Sequence, residues 1–280
     1  MATEEQRESA SGTRRAIADL VRSAREEKGW SQEELGQRIG YTAAAISKLE
    51  TCKDGVTMKM LALLDRELFD GRQVLSKLGP HLEADRYPPH FKDYALLEQT
   101  ALSVAAYENM VVDGLLQTEE YARAVLECGY PPLEVDEIDH LTQARMDRKS
   151  TLSRRTPVPL IEVVMDESVI QRQVGDRRCM YQQMQHLAEV SEAPNVTVQI
   201  TPLDRGSRRS HAGLPGPMHI VVTPQHRQFV HLEVQHHSRL ITTPDRVTEL
   251  VQRYAMIRAQ ALSPDQSLEL IRKSAEEWKQ

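Results

Sequence analysis

Histidine side chains, which can act as metal ligands or as acid–base groups, are concentrated near the C-terminal end of the chain. Six of the ten histidines lie between residues 211 and 237. His231 and Glu233 are two residues apart in a β-branched segment, so both would lie on one face of a strand. Zinc sites need three or four converging ligands, often with CxxC or HExxH spacing, and the chain contains neither pattern. We therefore predict no metal site and no cofactor, and expect a mixture of surface and partly buried histidines.

A second group of chemically active residues lies in the segment RGSRRSHAGLPG, residues 205–216. Its glycines and basic side chains would suit an acidic small molecule or the acidic face of a small partner protein, because loops between strands often carry binding sites. The alternative is a flexible, solvated loop. The candidate binding residues in it are Arg205, Arg208, Arg209 and His211.

Motifs for catalysis are missing from the chain. The segment 205–216 lacks the GxxxxGK[ST] and GxGxxG patterns of nucleotide sites. No GxSxG motif groups a nucleophile with a base. We therefore expect no enzymatic activity. The alternative is an enzyme with an attached binding module, and it would require a bound cofactor or metal in the purified protein.

Near the N-terminus, the stretch SQEELGQRIGYTAAAISKLE predicts two short helices joined by a tight turn. Ser31 can cap the first helix, and Glu34, three residues later, completes a capping box. Gly40 can adopt the left-handed conformation that ends a helix, and Thr42 can cap the second helix. Gly36 costs about 1 kcal/mol inside a helix relative to alanine, which is reasonable if the second helix crosses closely. These offsets predict a helix-turn-helix; the alternative is a plain helical hairpin.

Residues 14–66 resemble the five-helix DNA-binding domain of the XRE (lambda-repressor-like) transcription regulators. The resemblance is carried by REEKGWSQEELGQRIGYTAAAISKLE, which is similar to the family pattern at nearly every position. In that family the second helix of the motif enters the major groove. The resemblance implies that Gln32 touches a phosphate, and that the residues facing the DNA are Thr42, Ala43, Ala44, Ser47 and Lys48.

The recognition face implied by this resemblance carries few long polar side chains. Lys48 is the one long side chain on it that could read a base edge, whereas Ala43 and Ala44 can pack against thymine methyl groups. The remaining specificity would come from DNA shape and from two half-sites bound by a dimer. Lys53, beyond the helix, would hold a phosphate or be an ordinary solvated lysine.

Arg25 and Glu50 match a pair that, in the XRE family, ties the first helix to the end of the recognition helix. Both positions adjoin inward-facing residues of their helices, which favours a tie. The alternative is two solvated charges, worth at most about 1 kcal/mol.

Beyond the N-terminal helices the sequence predicts a mixed α/β (α+β) domain. Short β-branched runs bounded by turn residues indicate strands at 159–165, 195–200, 218–223 and 229–234. Periodic and capped segments indicate helices at 117–127, 136–150, 177–192, 244–262 and 264–278. The predicted organisation is a flexible N-terminus (1–12), an all-α helix-turn-helix domain (13–78), a proline-containing linker (79–91) and the α/β domain (92–280).

The α/β region resembles a domain of unknown function that often follows XRE motifs in regulators of high-GC Gram-positive bacteria. The resemblance is carried by VDGLLQTEEYARAVL (112–126), RGSRRSHAGLPGPMHIVV (205–222) and FVHLEV (229–234). Its members often lie beside genes for very small proteins, so it implies a small protein partner encoded nearby. The chain departs from the family pattern at His90-Phe91, where a tryptophan is usual, and in YENMVVDGLLQT.

Composition bounds the function. The net charge is −6 and the pI about 6.0, so nucleic-acid binding must be confined to a local face. Three scattered cysteines fit a reducing cytoplasm, and no apolar run reaches the length of a membrane span.

We therefore expect a cytoplasmic, dimeric, sequence-specific regulator that binds double-stranded DNA and is controlled through its C-terminal domain by a small protein or ligand. The alternative is an antidote-like member of a two-gene pair, which neutralises a small partner protein and regulates its own synthesis.

Overall fold

A computed structural model of the chain describes residues 12–53, 56–84, 87, 91–204, 211–234 and 237–279. The chain divides into two compact units, Met1–Arg86 and Tyr87–Gln280. Apart from Gly12, the predicted flexible N-terminus lies outside the described residues. Among the helices that the structure describes, none is long and apolar enough to cross a membrane.

The N-terminal unit is helical. Its elements are α1 (Gly12–Glu27), α2 (Gln32–Ile39), α3 (Ala43–Glu50), α4 (Met58–Leu68), a 3₁₀ turn (Ser76–Leu78) and α5 (Gly79–Ala84). Each helix contributes apolar side chains at helical spacing to one shared core, as an amphipathic helix must. The fully buried members of that core include Ile17, Val21, Leu35, Ile46 and Leu64.

The C-terminal end of the N-terminal unit is held by a buried carboxylate. Asp65 accepts hydrogen bonds from the backbone N–H groups of Leu75 (2.8 Å) and Ser76 (2.9 Å). Leu82 of α5 then packs into the same core. The segment 79–91 was predicted to be a linker. Its first six residues instead form α5, and they belong to the N-terminal unit because Leu82 is buried in that unit's core.

The C-terminal unit is built on a six-stranded mixed sheet of order β3-β2-β1-β4-β5-β6. Strands β1, β2 and β3 are parallel, and β4, β5 and β6 form an antiparallel meander beside β1. The strands are β1 (Ser103–Glu108), β2 (Leu160–Asp166), β3 (Val196–Thr201), β4 (Met218–Val222), β5 (Gln228–Val234) and β6 (His237–Ile241).

Helices cover both faces of this sheet. They are α6 (Lys92–Thr100), α7 (Glu119–Glu127), α8 (Val135–Arg148), α9 (Ser150–Ser153), α10 (Glu167–Gln171), α11 (Arg177–Val190), α12 (Pro244–Ala259) and α13 (Pro264–Lys279), with a 3₁₀ turn at Gly114–Leu116. On one face, α7, α11 and α13 pack a large apolar core against the parallel strands. On the other, α12 packs a smaller core around Tyr107 and Val230.

The multidomain fold class predicted from the sequence is confirmed, and the four predicted strands and five predicted helices are present with small shifts at their ends. The sequence analysis was wrong in omitting β1, which lies at the centre of the sheet between β2 and β4. Its sequence, SVAAYE, contains two alanines, which are depleted in strands. The edge strand β6 was also missed.

Candidate functional site

In the N-terminal unit, α2 and α3 are set by their caps. The Ser31 hydroxyl accepts a hydrogen bond from the Glu34 backbone N–H (3.1 Å), and the Glu34 carboxylate accepts one from the Ser31 N–H (2.7 Å). The bond that the Ser31 backbone N–H donates to the Glu34 carboxylate lowers the pKa of Glu34. Gly40 then turns the chain with a φ of 74°, and the Thr42 hydroxyl accepts from the Ala45 N–H (3.2 Å). The two helices are therefore oriented by local bonds.

Gly36 is the point of closest approach in this turn. A Cβ added there would lie 2.7 Å from the backbone oxygen of Tyr41, closer than side chains approach backbone. The backbone N–H of Tyr41 also donates to the Gly36 carbonyl (2.8 Å). The close neighbour is thus the turn that leads into α3, so glycine at this position allows that turn to lie directly against α2.

Arg25 of α1 and Glu50 at the end of α3 form a buried, two-pronged ion pair. The Nε and Nη2 atoms of Arg25 donate to the two carboxylate oxygens at 2.6 and 3.0 Å. Arg22 donates to the Glu50 backbone carbonyl (3.0 Å), and Gln32 donates to its carboxylate (2.9 Å). Arg25 also donates to the Trp30 carbonyl (2.7 Å). The network ties α1, α2 and α3 together.

The pKa values of this pair follow from their contacts. Burial by itself would raise the pKa of Glu50, whose exposure is 1%, but the hydrogen bonds from Arg25 and Gln32 outweigh it and the pKa lies below its ordinary value. The hydrogen bond to Glu50 raises the pKa of Arg25. Both groups are therefore ionised near neutral pH, and the pair is a charged tie.

In the C-terminal unit, polar side chains collect where the parallel strands end. Strands β1, β2 and β3 end at Glu108, Asp166 and Thr201, and the antiparallel β4 begins beside them at Met218. Ligands of open α/β sheets generally bind outside the carboxyl ends of the strands. This edge is therefore the first place to look for a site in the C-terminal unit.

One cluster at this edge joins three different segments. The Nε2 atom of His219 (β4) lies 3.0 Å from a carboxylate oxygen of Asp113 and 3.3 Å from one of Glu108 (β1). One ligand atom from each residue can be chosen so that all three lie within 4.8 Å of one another. The other Asp113 oxygen accepts the Leu115 backbone N–H (2.9 Å).

Burial and mutual charge shift the pKa values of these three groups apart. Burial would lower the pKa of His219, but its hydrogen bond to Asp113 and the charges of both carboxylates raise it to about 9. Burial raises the pKa of Glu108 to about 8 against the opposing charge of His219. For Asp113 the effect of burial is outweighed by the bond to His219, and its pKa is lowered. Contact with the two carboxylates therefore favours the protonated form of His219, and burial favours the protonated form of Glu108.

A second buried ion pair, Arg148 with Glu98, lies near this cluster. Arg148 donates from Nε and Nη2 to the two carboxylate oxygens of Glu98, both at 2.8 Å, and its guanidinium lies over the Phe91 ring at 4.5 Å. The Tyr94 ring stacks on His231 with centroids 4.6 Å apart. Strand β5 and helices α6 and α8 thus enclose the polar cluster.

A separate pair occupies the opposite face of the sheet. His211 lies with Nε2 2.8 Å from the Asp166 carboxylate, and its Nδ1 accepts the Gly213 backbone N–H (3.0 Å). The same Nε2 atom also lies 3.1 Å from the Tyr107 hydroxyl. A Cβ at Gly213 would lie 2.2 Å from the Tyr107 ring, so the end of the loop packs directly on β1.

Comparison with protein families classifies both units. A family model described as a domain of unknown function (DUF5753) matches residues 91–273, which is more than half of the chain. The protein belongs to the DUF5753 family. A helix-turn-helix model matches residues 21–69, so the N-terminal unit is a DNA-binding domain of the XRE type. These matches confirm the resemblance to XRE helix-turn-helix domains and the resemblance to a domain of unknown function that follows them. No curated protein and no solved structure matches the chain.

In this DUF5753 protein, the residues predicted to face DNA lie along α2, α3 and the turn after it. Thr42, Ala44, Lys48 and Lys53 are exposed, and Gln32, Ala43 and Ser47 are half-buried. The side-chain amide of Gln32 is engaged by Glu50. The Thr42 hydroxyl accepts the cap bond with its oxygen, which leaves its O–H free to donate. The structure therefore brings these seven side chains to one helical pair.

The residues predicted to receive a ligand in the DUF5753 domain are only partly described. Arg205, Arg208 and Arg209 lie outside the described residues, whereas His211 is anchored on Asp166. The histidines divide as the sequence suggested: His226 and His237 are exposed, while His219 and His231 lie in the interior.

Sequence reasoning missed Glu108, Asp113, Glu98 and Arg148. Glu108 and His219 are 111 positions apart in the chain, so no spacing motif could connect them. The one local signal was the Asp113-Gly114 dipeptide, which is typical of turns. In the structure Asp113 caps the 3₁₀ turn that follows. Only the pairing of β1 with β4 brings the cluster together.

Proposed function

We propose that the protein is a cytoplasmic, sequence-specific transcription regulator that binds DNA as a dimer. In this proposal α3 enters the major groove, and the DUF5753 domain joins two chains and responds to a small protein partner or ligand. The observation that supports it most directly is the α2–α3 unit, with its capping box, its left-handed turn at Gly40 and its close approach at Gly36.

The contacts assigned to DNA follow from exposure and donor type. Lys48 projects from the exposed side of α3 and is the long donor available there for a base edge. The Thr42 O–H and the Lys53 ammonium, both on exposed residues at the two ends of α3, are proposed to donate to phosphates. Gln32 is proposed to reach a phosphate from the start of α2 while Glu50 orients its amide.

The alanines of α3 make part of the proposed DNA interface apolar. Ala43 and Ala44 offer no hydrogen bonds, so they can only pack against thymine methyl groups and admit the backbone close to the base pairs. With one long reader in each copy, most of the specificity comes from the deformability of the site and the spacing of two half-sites. We therefore expect a palindromic operator with a short specified core.

Selection of bound fragments from a random duplex pool tests this proposal. The full-length chain is expected to enrich an inverted repeat whose half-sites are about one helical turn apart. Failure to retain any duplex at low ionic strength would contradict DNA binding. An enriched single half-site would contradict the dimer.

Lys48→Ala tests the reading role on the selected site. The loss of one base-edge contact should weaken binding to the operator by about 5- to 150-fold, the equivalent of roughly 1–3 kcal/mol, and relax preference at one base pair. Lys77→Ala removes the same charge from an exposed position on the 3₁₀ turn and is the matched control. An equal loss on operator and random DNA would show that Lys48 only contributes charge.

The regulatory part of the proposal has its own test. Purification of the untagged protein from its native host should recover a small protein or a small molecule bound to the DUF5753 domain. Addition of that molecule to the protein–operator complex should change the dissociation constant. A protein that is recovered alone, with operator binding unaffected by host extract, would contradict regulation through this domain.

A further inference from the structure

Three donor groups converge in the interior of the C-terminal unit from β1, from the turn after it and from β4. We propose that Glu108, Asp113 and His219 form a binding site for one divalent transition-metal ion. The donors are two carboxylates and one imidazole, a set that suits Zn²⁺ or Mn²⁺. Neither a sequence motif nor the family model assigns such a site to the chain.

The separations of the donor atoms fit a metal without rearrangement of the backbone. The His219 Nε2 atom lies 3.0 Å from Asp113 and 3.3 Å from Glu108. Two ligands on one ion with bonds of about 2.1 Å are about 3.0–3.4 Å apart in octahedral or tetrahedral geometry. With the third separation inside the 4.8 Å limit, one point about 2.0–2.4 Å from all three atoms exists, which is the ordinary range of metal–oxygen and metal–nitrogen bonds.

The groups around the cluster hold the donors in place. Asp113 is 2% exposed and is anchored by the Leu115 N–H (2.9 Å), so its second oxygen is directed towards His219. Such bonds to a ligating carboxylate orient it and contribute to metal affinity. His219 and Glu108 are fixed by the pairing of β4 with β1.

The two arginines near the cluster, Arg145 and Arg148, each hydrogen-bond to a side chain outside it. The Arg148 guanidinium is bound on two sides by the Glu98 carboxylate. Arg145 donates to the side-chain oxygen of Gln117 (3.0 Å) and interacts electrostatically with Glu233. The charges of Arg145 and Arg148 act on the two carboxylates of the cluster, but no described guanidinium donates a hydrogen bond to either of them. A metal ion would therefore have to displace the proton that His219 shares with Asp113, and no guanidinium.

A buried phenol, that of Tyr94, lies next to the cluster. The Tyr94 hydroxyl is buried and makes no hydrogen bond of ordinary geometry to a described residue, and its ring centroid lies 5.1 Å from that of His219. A metal held by three protein atoms keeps at least one open coordination position.

Bound metal would fasten three segments that are distant in sequence. It would join the end of β1, the turn that carries Asp113 and the start of β4 at Met218. Because the ion binds the folded arrangement only, it should stabilise this unit by mass action. Its expected effect is on the stability of the DUF5753 domain.

The direct test is metal binding by the full-length, untagged protein after treatment with EDTA. Titration calorimetry with ZnCl₂ and with MnCl₂ should show one high-affinity site per chain for at least one of the two ions. X-ray absorption at the metal edge of the loaded protein should show one imidazole and otherwise oxygen neighbours. No stoichiometric site, or sulfur in the first shell, would overturn the proposal.

Variants locate the site. His219→Gln and Asp113→Asn should each weaken the affinity at least tenfold and abolish the metal-dependent rise in Tm, while His237→Gln, an exposed histidine on β6, should bind as the wild type does. Circular dichroism checks the fold of each variant. If the two variants bind metal as tightly as the control does, the ion lies elsewhere and the proposal is wrong. If they do not fold, the absorption spectrum of the wild-type protein alone decides.

Discussion

Replacing Glu50 by alanine should destabilise the N-terminal unit far more than removing any exposed acid of that unit. The carboxylate is buried and receives hydrogen bonds from Arg25 and Gln32 at 2.6–3.0 Å. Its removal leaves the Arg25 guanidinium, whose side chain is 10% exposed, with its bond to the Trp30 carbonyl and a weaker contact with Glu26. A buried charge that loses its counter-charge is the costly part of this change.

The size of the effect follows from the environment of the pair. Breaking a buried ion pair by removing one partner costs about 3–5 kcal/mol, whereas small domains have a total unfolding free energy of roughly 5–15 kcal/mol. The loss is therefore a large share of the stability of this unit. With a urea dependence of about 1.5 kcal/mol per molar, the unfolding midpoint should fall by about 2–3 M.

The two tryptophans make the measurement specific. Trp30 lies in the N-terminal unit and Trp278 in the C-terminal unit, so a Trp278→Phe host lets fluorescence report the N-terminal unit alone. Glu67→Ala is the control. The Glu67 side chain is 23% exposed and its partner Arg66 is 62% exposed, so solvent weakens this pair and its loss should cost about 1 kcal/mol or less.

Changing both partners tests the assignment to a pair. Arg25→Met with Glu50→Met should cost less than the sum of the two single changes, because no buried charge is left unmatched. If Glu50→Ala and Glu67→Ala shift the midpoint equally, the reasoning is refuted.

Two further outcomes follow from the same unit. Gly36→Ala should lower the stability of this unit by about 1–2 kcal/mol, because the 2.7 Å approach of the new Cβ to the Tyr41 oxygen costs more than the roughly 1 kcal/mol gained in helix propensity. Gly12→Ala, where a Cβ would meet open space, should not lower the stability. Equal urea midpoints for the two variants would contradict the argument. The Glu50 pKa is lowered on folding, so its contribution is complete above its ordinary value of 4.5 and is lost as the pH falls through the folded value. The midpoints of wild type and Glu50→Gln should therefore converge as the pH is lowered below 4.5, and a gap that does not change on acidification would contradict the assignment.

The helix-turn-helix was predictable because its signals are local. The capping box needs only residues three apart, the left-handed turn needs a glycine at one position, and the amphipathic faces repeat every three to four residues. The Arg25–Glu50 pair was inferred from family resemblance, and the additional bonds from Arg22 and Gln32 were not, since they depend on how α1 and α2 cross the end of α3.

The C-terminal domain shows where local reasoning fails. The strands at 160–166 and 196–201 carry β-branched runs and were found, whereas β1 carries alanines and was not. Its place at the centre of the sheet is decided by its neighbours, because strands on both sides supply the hydrogen bonds that its own composition does not favour.

The amino-acid sequence by itself determined the two-unit organisation, the paired helices of the N-terminal unit and the alternation of helices and strands that follows, since each depends on propensities and periodicities within about fifteen residues. Only the tertiary structure decided which buried charges meet. Glu108, Asp113 and His219 converge because β1 pairs with β4, and Arg148 reaches Glu98 because the C-terminal end of α8 comes near α6. Contacts between residues that far apart depend on strand order and helix packing, which no local pattern encodes.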